Sequence, residues 1–323
     1  MMKSLKFYKT FTAVVTVATL LLVMAVPSFA AKKALSLTSG TTGGGYYMVA
    51  AALAQIINQY AEGVTVNTEG SGGSNENIRL VADKRADLGM GMADDGIAAY
   101  EGIRGFSKGA APHLRVLMAG QTNVFHLIVL EDSKIKTLAD LKGKRISLGP
   151  AGAPFFGPDL LEAVAGLKKG DYRGQYLGHD QAADALVNGD VDIVIATLTY
   201  PAAAYSNLAM THKLRFLELS QSDMTIIKKK FPFWKEGMLP KGTYNNEQDV
   251  HSAAIPVWLY AHEDADPEAI YQVVKAIAEH SDELAKINPA AGEYRKETAI
   301  DGVTLPLHPG AERYYKEIGL LKQ

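Results

Sequence analysis

Three consecutive glycines, Gly43, Gly44 and Gly45, stand between a strand-like segment and a helix-like one. Glycine has no Cβ, so such a run can take positive φ and let a ligand approach the backbone closely. Ahead of it, Ala34 to Thr38 reads as a short strand. Behind it, Tyr46, Val49, Leu53, Ile56, Ile57 and Tyr60 recur at the spacing of one helix face. Strand, Gly/Thr turn, helix is a layout that aims free N–H groups and a partial positive charge at an anion. The expected donors are the hydroxyls of Thr41 and Thr42 and the N–H groups of Gly43 and Gly44. Tyr46 follows the buried spacing, which leaves Tyr47 to reach a ligand. Taken alone, the stretch also reads as an ordinary strand-to-helix turn.

The unit then repeats. Val64 to Thr68 alternates as a strand, Gly70 to Asn75 forms a second Gly/Ser loop, and a helix carries Ile78, Leu80 and Val81. Ser74 is expected at the helix N-cap, compatible with ligand contact, and Asn77 in the first turn is expected to aim inward. Leu88 to Met92 reads as a buried strand with Asp94 and Asp95 at its end, Asp94 toward the ligand and Asp95 toward solvent. Further on, Leu114 to Ala119 and Phe125 to Leu130 read as two strands, and Thr137 to Asp140 as a capping box. Arg145 to Leu148, Gln175 to Leu177, Val191 to Ala196 and Leu214 to Leu219 are expected strands; Leu160 to Leu167, Gln181 to Val187 and Tyr200 to Met210 are expected helices. From Thr225 the alternation stops, and Phe231, Pro232, Phe233, Trp234 and the loop to Asn246 read as an aromatic surface hinge or lid. Val250 to His262 reads as an extended apolar strand, with Pro256 arguing against a central position for all of it. A long helix follows Asp266 with Ile270, Val273, Val274, Ile277 and Leu284 inward, and a last helix follows Pro309. This order predicts an α/β chain of two lobes joined by two crossings, near Gln121 and near Ile255. The expected boundaries are a signal peptide at 1–30, lobe I at 31–121 plus 255–323, and lobe II at 122–254.

Composition removes whole classes of chemistry. At 323 residues with a net charge of −2, the chain has no basic footprint for nucleic acid. It has no cysteine, hence no disulfide, thiol nucleophile or thiolate metal site. Lys3, Lys6 and Lys9 precede an apolar run from Phe11 to Val26, and Pro27, Ser28, Phe29 and Ala30 supply a small-residue exit. That is the layout of a signal peptide cut after Ala30, so a freely soluble periplasmic protein is expected; an uncleaved anchor is the other reading. No nucleophile elbow, helical zinc-protease pair, dinucleotide fingerprint or Walker loop occurs. Asp94 with His126 is the remaining acid–base pair, and His126 alternates with Phe125 and Leu127 as a core histidine does. An enzyme is therefore not expected, and neither is a cofactor.

Several motifs together resemble one family. Gly40, Thr42, Gly43, Gly44, Tyr46 and Tyr47, then Gly72, Gly73, Ser74, Asn77 and Ile78, are similar to the first two loops of the TAXI receptors, the TRAP-associated extracytoplasmic immunogenic proteins. Asp94 and Tyr100, His126, the turn Leu138 to Arg145 and the tail Pro306 to Tyr315 match its other signatures. The resemblance implies a two-lobed periplasmic-binding-protein fold with a ligand cleft between the lobes. It also implies a monomer that captures a small carboxylate (glutamate, a 2-oxo acid or a dicarboxylate) for a membrane permease with fused TRAP subunits. Asp94 would then hold an amino or hydroxyl group of the ligand, with Phe155 and Thr197 closing over the rest. The chain departs from the family pattern at Met92, Ala93, the loop Pro150 to Phe156 and Ala196. These changes make the pocket less polar and bring a bulkier organic acid into consideration. A receptor that feeds a sensor kinase is the alternative.

Overall fold

The computed structural model describes residues 32–41, 44–151, 156–231 and 233–322. The leader expected at 1–30, and Thr42, Gly43 and Phe155 of the expected site, lie outside them. The chain opens with β1 (Lys33–Thr38), α1 (Gly45–Tyr60), β2 (Val64–Glu69), α2 (Ser74–Ala82), β3 (Leu88–Met92) and α3 (Ala93–Glu101). Next come β4 (Leu114–Leu130), β5 (Arg145–Ser147), α4 (Phe156–Ala165), β6 (Arg173–Gln175), α5 (His179–Val187), β7 (Ile193–Leu198), α6 (Ala203–Thr211) and β8 (Leu214–Phe216). The remainder is α7 (Gln221–Lys230), β9 (Lys235–Leu239), β10 (Val250–His262), α8 (Pro267–Glu279), α9 (Ser281–Ile287) and α10 (Pro309–Glu317).

All these strands join one mixed sheet in the order β2-β1-β3-β10-β4-β7-β5-β6, with β8 added to β4 and β9 to β10. β1, β2 and β3 run parallel, as do β5, β6 and β7. The two parallel groups are joined by β4 and β10, which pair antiparallel from Leu114–Val124 to Ala254–His262. Beyond that pairing β4 continues against β7 and β8, and the start of β10 pairs with β9. The two strands expected at Leu114 to Ala119 and Phe125 to Leu130 are thus one strand of 17 residues. Polar Gln121, Thr122 and Asn123 hide its continuity in the sequence, yet Gln121 and Asn123 are buried. Gln121 and Ile255, the expected crossing points, lie inside β4 and β10.

Strand β10 is central for much of its length, but Pro256 is paired only with Thr122 of β4, because β9 pairs with β10 up to Ala254 and β3 from Val257. β10 lies between β3 and β4, and its register with β4 shifts between Pro256 and Trp258. A bulge releases the ladder N–H that proline lacks. The segment after Thr225 is not a surface lid. Phe231 and Trp234 are buried, Lys235–Leu239 pairs with β10, and α7 begins at Gln221 behind a capping box from Ser220 and Asp223. Trp234 packs edge-on against Phe125 at 6.4 Å, so apolar burial draws the segment inward. The long helix expected after Asp266 breaks at His280 into α8 and α9. Tyr60 leaves the buried face of α1 to stack on His280 at 3.5 Å and hydrogen-bond Glu283.

The tail signature serves the fold. Pro309 opens α10, and the His308 side chain accepts from the Gly310 N–H. A Cβ on Gly310 would lie 2.3 Å from the Pro267 carbonyl oxygen, so glycine lets α10 close on α8. The Tyr315 hydroxyl donates to the Leu117 carbonyl of β4 at 2.7 Å. Gly120 in β4 is tighter still, since a Cβ there would stand 2.1 Å from the buried Tyr294 ring. Gly120→Ala is expected to cost roughly 1–3 kcal/mol through overpacking. Urea denaturation checks this; a midpoint equal to wild type would show that the ring yields freely.

Candidate functional site

The loops at the carboxyl ends of the parallel strands surround one cavity, as an open α/β sheet favours. The space is about 60 Å³. Thr41, Gly44 and Gly45 line it from the β1–α1 loop, Gly72, Gly73 and Ser74 from the β2–α2 loop, and Met92 from the end of β3. Gly149, Pro150 and Gly157 face them from around α4, His179 from the start of α5, and Ile195 to Thr199 from β7 and its end. Asn123 and Phe125 of β4, with Gly40, Tyr46 and Leu148, complete the lining. The N-termini of α1, α2, α4 and α5 therefore meet at one space, and the N-cap of α3 is Met92. No lysine or arginine lines it among the described residues.

The two Gly loops are tied to each other. Asn77 donates to the carbonyl oxygens of Ser39 and Met90 and accepts from the Ser71 hydroxyl. Ser71 N–H donates to the Gly40 carbonyl at 3.3 Å, and Gly44 N–H to that of Thr41 at 3.0 Å. Gly73, at the N-cap of α2, has φ of 112°, which favours glycine. Ser74 is the first helical residue instead of the cap. Its hydroxyl accepts from Met92 N–H at 2.8 Å and hydrogen-bonds the Asp95 carboxyl.

Across the floor, Thr199 donates to Asn123 Oδ1 at 2.6 Å, and Asn123 Nδ2 donates to the Tyr46 hydroxyl at 3.3 Å. This chain joins α1, β4 and the end of β7. The fit is close: a Cβ on Gly45 would lie 2.6 Å from Thr199 Cβ, and one on Gly44 3.4 Å from His179 Cδ2.

Of the expected contacts, Thr41, Gly44, Ser74 and Thr197 line the cavity, and Tyr47, Asn77 and Asp94 do not. Tyr47 points outward at 39% exposure, and its neighbour Tyr46 is both buried and in the lining. The helix-face spacing was right about burial, but the cavity lies on that same face. Asn77 is consumed by loop carbonyls. Asp94 is buried, with Oδ2 accepting from Arg104 and from Trp234 Nε1, each at 3.3 Å. Asp95, expected in solvent, is buried as well. His126 is a core residue with Nδ1 on the Val124 carbonyl at 2.7 Å, and burial lowers it to about 4. Asn123, His179 and Thr199 were not foreseen. A histidine straight after a glycine loop and opening a helix is the local signal that marks His179.

Burial raises both carboxyls of the Asp94–Asp95 pair; Arg104 opposes this for Asp94, whereas the Asp94 charge drives Asp95 well above the ordinary aspartate range. The native state then holds more protons than the unfolded chain from the ordinary aspartate range upward, so this pair lowers stability as pH rises through that window. Asp95→Asn removes the burden while keeping the shape and a partner for Ser74. Its melting temperature is expected to exceed wild type near pH ~8, with the gain shrinking toward ~4, where the unfolded acid is also protonated. Calorimetry across that range checks this, and a variant that melts below wild type at the alkaline end contradicts it.

The model of the NMT1-like family matches residues 37–319. Among solved structures, the chain is similar to the alkanesulfonate-binding protein SsuA from Xanthomonas axonopodis pv. citri bound to MOPS. The identity is 18% and the TM-score 0.51, over 88% of this chain and 84% of that one. It is similar also to a putative L-cystine ABC transporter protein from Listeria monocytogenes, at 15% identity and a TM-score of 0.50, over 80% of this chain and 96% of that one. Similarity at this level establishes the fold, the α/β fold of periplasmic binding proteins. With the family model covering nearly all of the described residues, the chain belongs to the NMT1-like family.

Proposed function

We propose that the protein is a periplasmic solute receptor that holds a small carboxylate in this cavity and hands it to a membrane transporter. The observation that carries the reading is the convergence of four helix N-termini on one space without a lysine or arginine in the described lining. Each helix start presents unpaired N–H groups and about half a positive charge, and the site so formed suits an anion. The Thr41 and Thr197 hydroxyls add neutral donors, while Phe125, Leu148, Ile195 and Leu198 suit a short carbon skeleton. Among the described residues lining the cavity none is a poised nucleophile, which favours capture over turnover.

In this reading residues 31–121 plus 255–323 form one lobe and 122–254 the other. α1 and α2 then approach the ligand from the first lobe, α4 and α5 from the second. Hinge motion in β4 and β10 would set the open and closed populations. In this reading the close approaches of Gly44 to His179 and of Gly45 to Thr199 would be contacts between the two lobes. The signal peptide supports export, and the loop and tail motifs resembling TAXI receptors favour a TRAP permease with fused subunits. The fold shared with the sulfonate-binding protein keeps a second reading open, sulfonate capture for an ABC-type permease; its support is the fold alone.

Thermal-shift screening of residues 31–323 tests this with L-glutamate, 2-oxoglutarate, succinate and ethanesulfonate. A carboxylate is expected to raise the melting temperature in a dose-dependent way. Thr41→Ala should weaken binding about tenfold, near 1.4 kcal/mol for one lost hydrogen bond. Gly45→Ala should abolish the shift, because the added methyl holds α1 off Thr199. A response to ethanesulfonate alone would replace the carboxylate reading, and no response to any anion would end it.

A further inference from the structure

An anion held only by helix ends and hydroxyls still lacks a full opposing charge. Among the described residues lining the cavity, His179 is the one side chain able to carry a positive charge. We propose that His179 is the ligand's charge partner and specificity determinant, binding the carboxylate as an imidazolium with a proton taken from solvent when the ligand enters. The inference rests on the anion-receptor reading above.

The geometry prepares the ring for this. His179 opens α5, and its Nδ1 lies 3.3 Å from the Tyr205 hydroxyl of α6, the two rings meeting edge-on at 5.9 Å. Tyr205 is fully buried and stays protonated, since burial drives its phenol far above the ordinary range. Its hydroxyl can donate to a bare Nδ1 or accept from a protonated one, so the ring gains a proton without losing its anchor. Cδ2, on the opposite ring edge, faces Gly44. Nε2, bonded to Cδ2, is the nitrogen left for the cavity.

The surroundings keep the empty site neutral. Burial lowers His179 to about 4. From β4, His126 is the nearest titratable neighbour, lowered likewise to about 4 by its own burial. From α6, Tyr205 faces the ring, and Tyr244 in the segment before β10 stands behind Tyr205 at 6.4 Å. On α5 itself the nearest acid is Asp180, adjacent in sequence. The β1–α1 loop brings Thr41 and Gly44, which carry no charge. An anion at contact distance therefore supplies the favourable field the empty site lacks. It moves the histidine upward by roughly one to three pH units.

The sign follows. A base whose bound-state value exceeds its free value takes up a proton on binding, so affinity is greatest at low pH and declines as pH rises through the bound-state value. With a free value of about 4 and a bound value near ~7, Kd for L-glutamate or 2-oxoglutarate should rise up to about tenfold per pH unit between ~5.5 and ~7, where the ligand carboxyls no longer titrate, and level off above it. Neutral analogues such as glutamine should gain less from acidification than dicarboxylates.

Calorimetric titration of the purified protein with L-glutamate and 2-oxoglutarate, at several pH values and in two cationic buffers of different ionisation enthalpy, measures both Kd and protons taken up. Nitrogen NMR of labelled histidine rings identifies the site. Uptake approaching one proton, a new imidazolium signal, and loss of both in His179→Asn, together with a Kd that no longer falls on acidification, are the expected results. Tight binding with a pH-independent Kd and no uptake overturns the inference and leaves the receptor reading standing. Uptake that survives in His179→Asn but vanishes in His126→Asn overturns the assignment to His179. No binding of either carboxylate at any pH overturns the inference, and no binding of succinate or ethanesulfonate besides overturns the receptor reading as well.

Discussion

The pairing of β4 with β10 holds the two parallel strand groups in one sheet and brings the cavity walls to one place. Both strands are long, 17 and 13 residues, and each carries the chain from one group to the other. Asn123 sits within that pairing, opposite Ile255, and spans the cavity floor between Thr199 and Tyr46. Buried amides of this kind are costly unless partnered, and here the partners come from α1 and from the end of β7. The bulge at Pro256 and the packing of Tyr294 on Gly120 adapt the crossing locally without breaking it.

The electrostatics of the cavity follow from how the sheet delivers its helices. Parallel strands send every following helix away from the same edge, so their positive ends gather there. The acids nearby are kept out of the lining: Asp94 is engaged by Arg104 and Trp234, and Asp95 is held behind Ser74. An ionised carboxylate in the wall would oppose an anion, whereas one buried behind it braces the β2–α2 and β3–α3 loops. His179 differs from both, being a weak base whose charge depends on what occupies the space beside it.

Local reading of the residues worked where a signal was local. The helix from Gly45, the capping box at Thr137 and Asp140, the proline-opened helices at Pro267 and Pro309 and the Gly/Ser loops were all legible, because each depends on neighbours within a turn. Asp94 and Tyr47 misled because a polar side chain near a loop looks alike whether it meets a ligand, a distant arginine or solvent. Trp234 and Phe231 misled because an aromatic cluster among prolines reads as surface until its packing partner, Phe125, is known.

The sequence by itself determined the alternating elements, the placement of glycine at the loop ends, the absence of thiol chemistry and the motifs by which the chain resembles a receptor family. Only the tertiary structure decided that β4 is unbroken, that Tyr46 and not Tyr47 lines the cavity, and that Asn123, Thr199 and His179 belong to it. Helix and turn preferences are set by contacts a few residues apart. The cavity joins side chains far apart in the chain, 77 positions between Tyr46 and Asn123 and 76 between Asn123 and Thr199, and which of them meet is settled by sheet register.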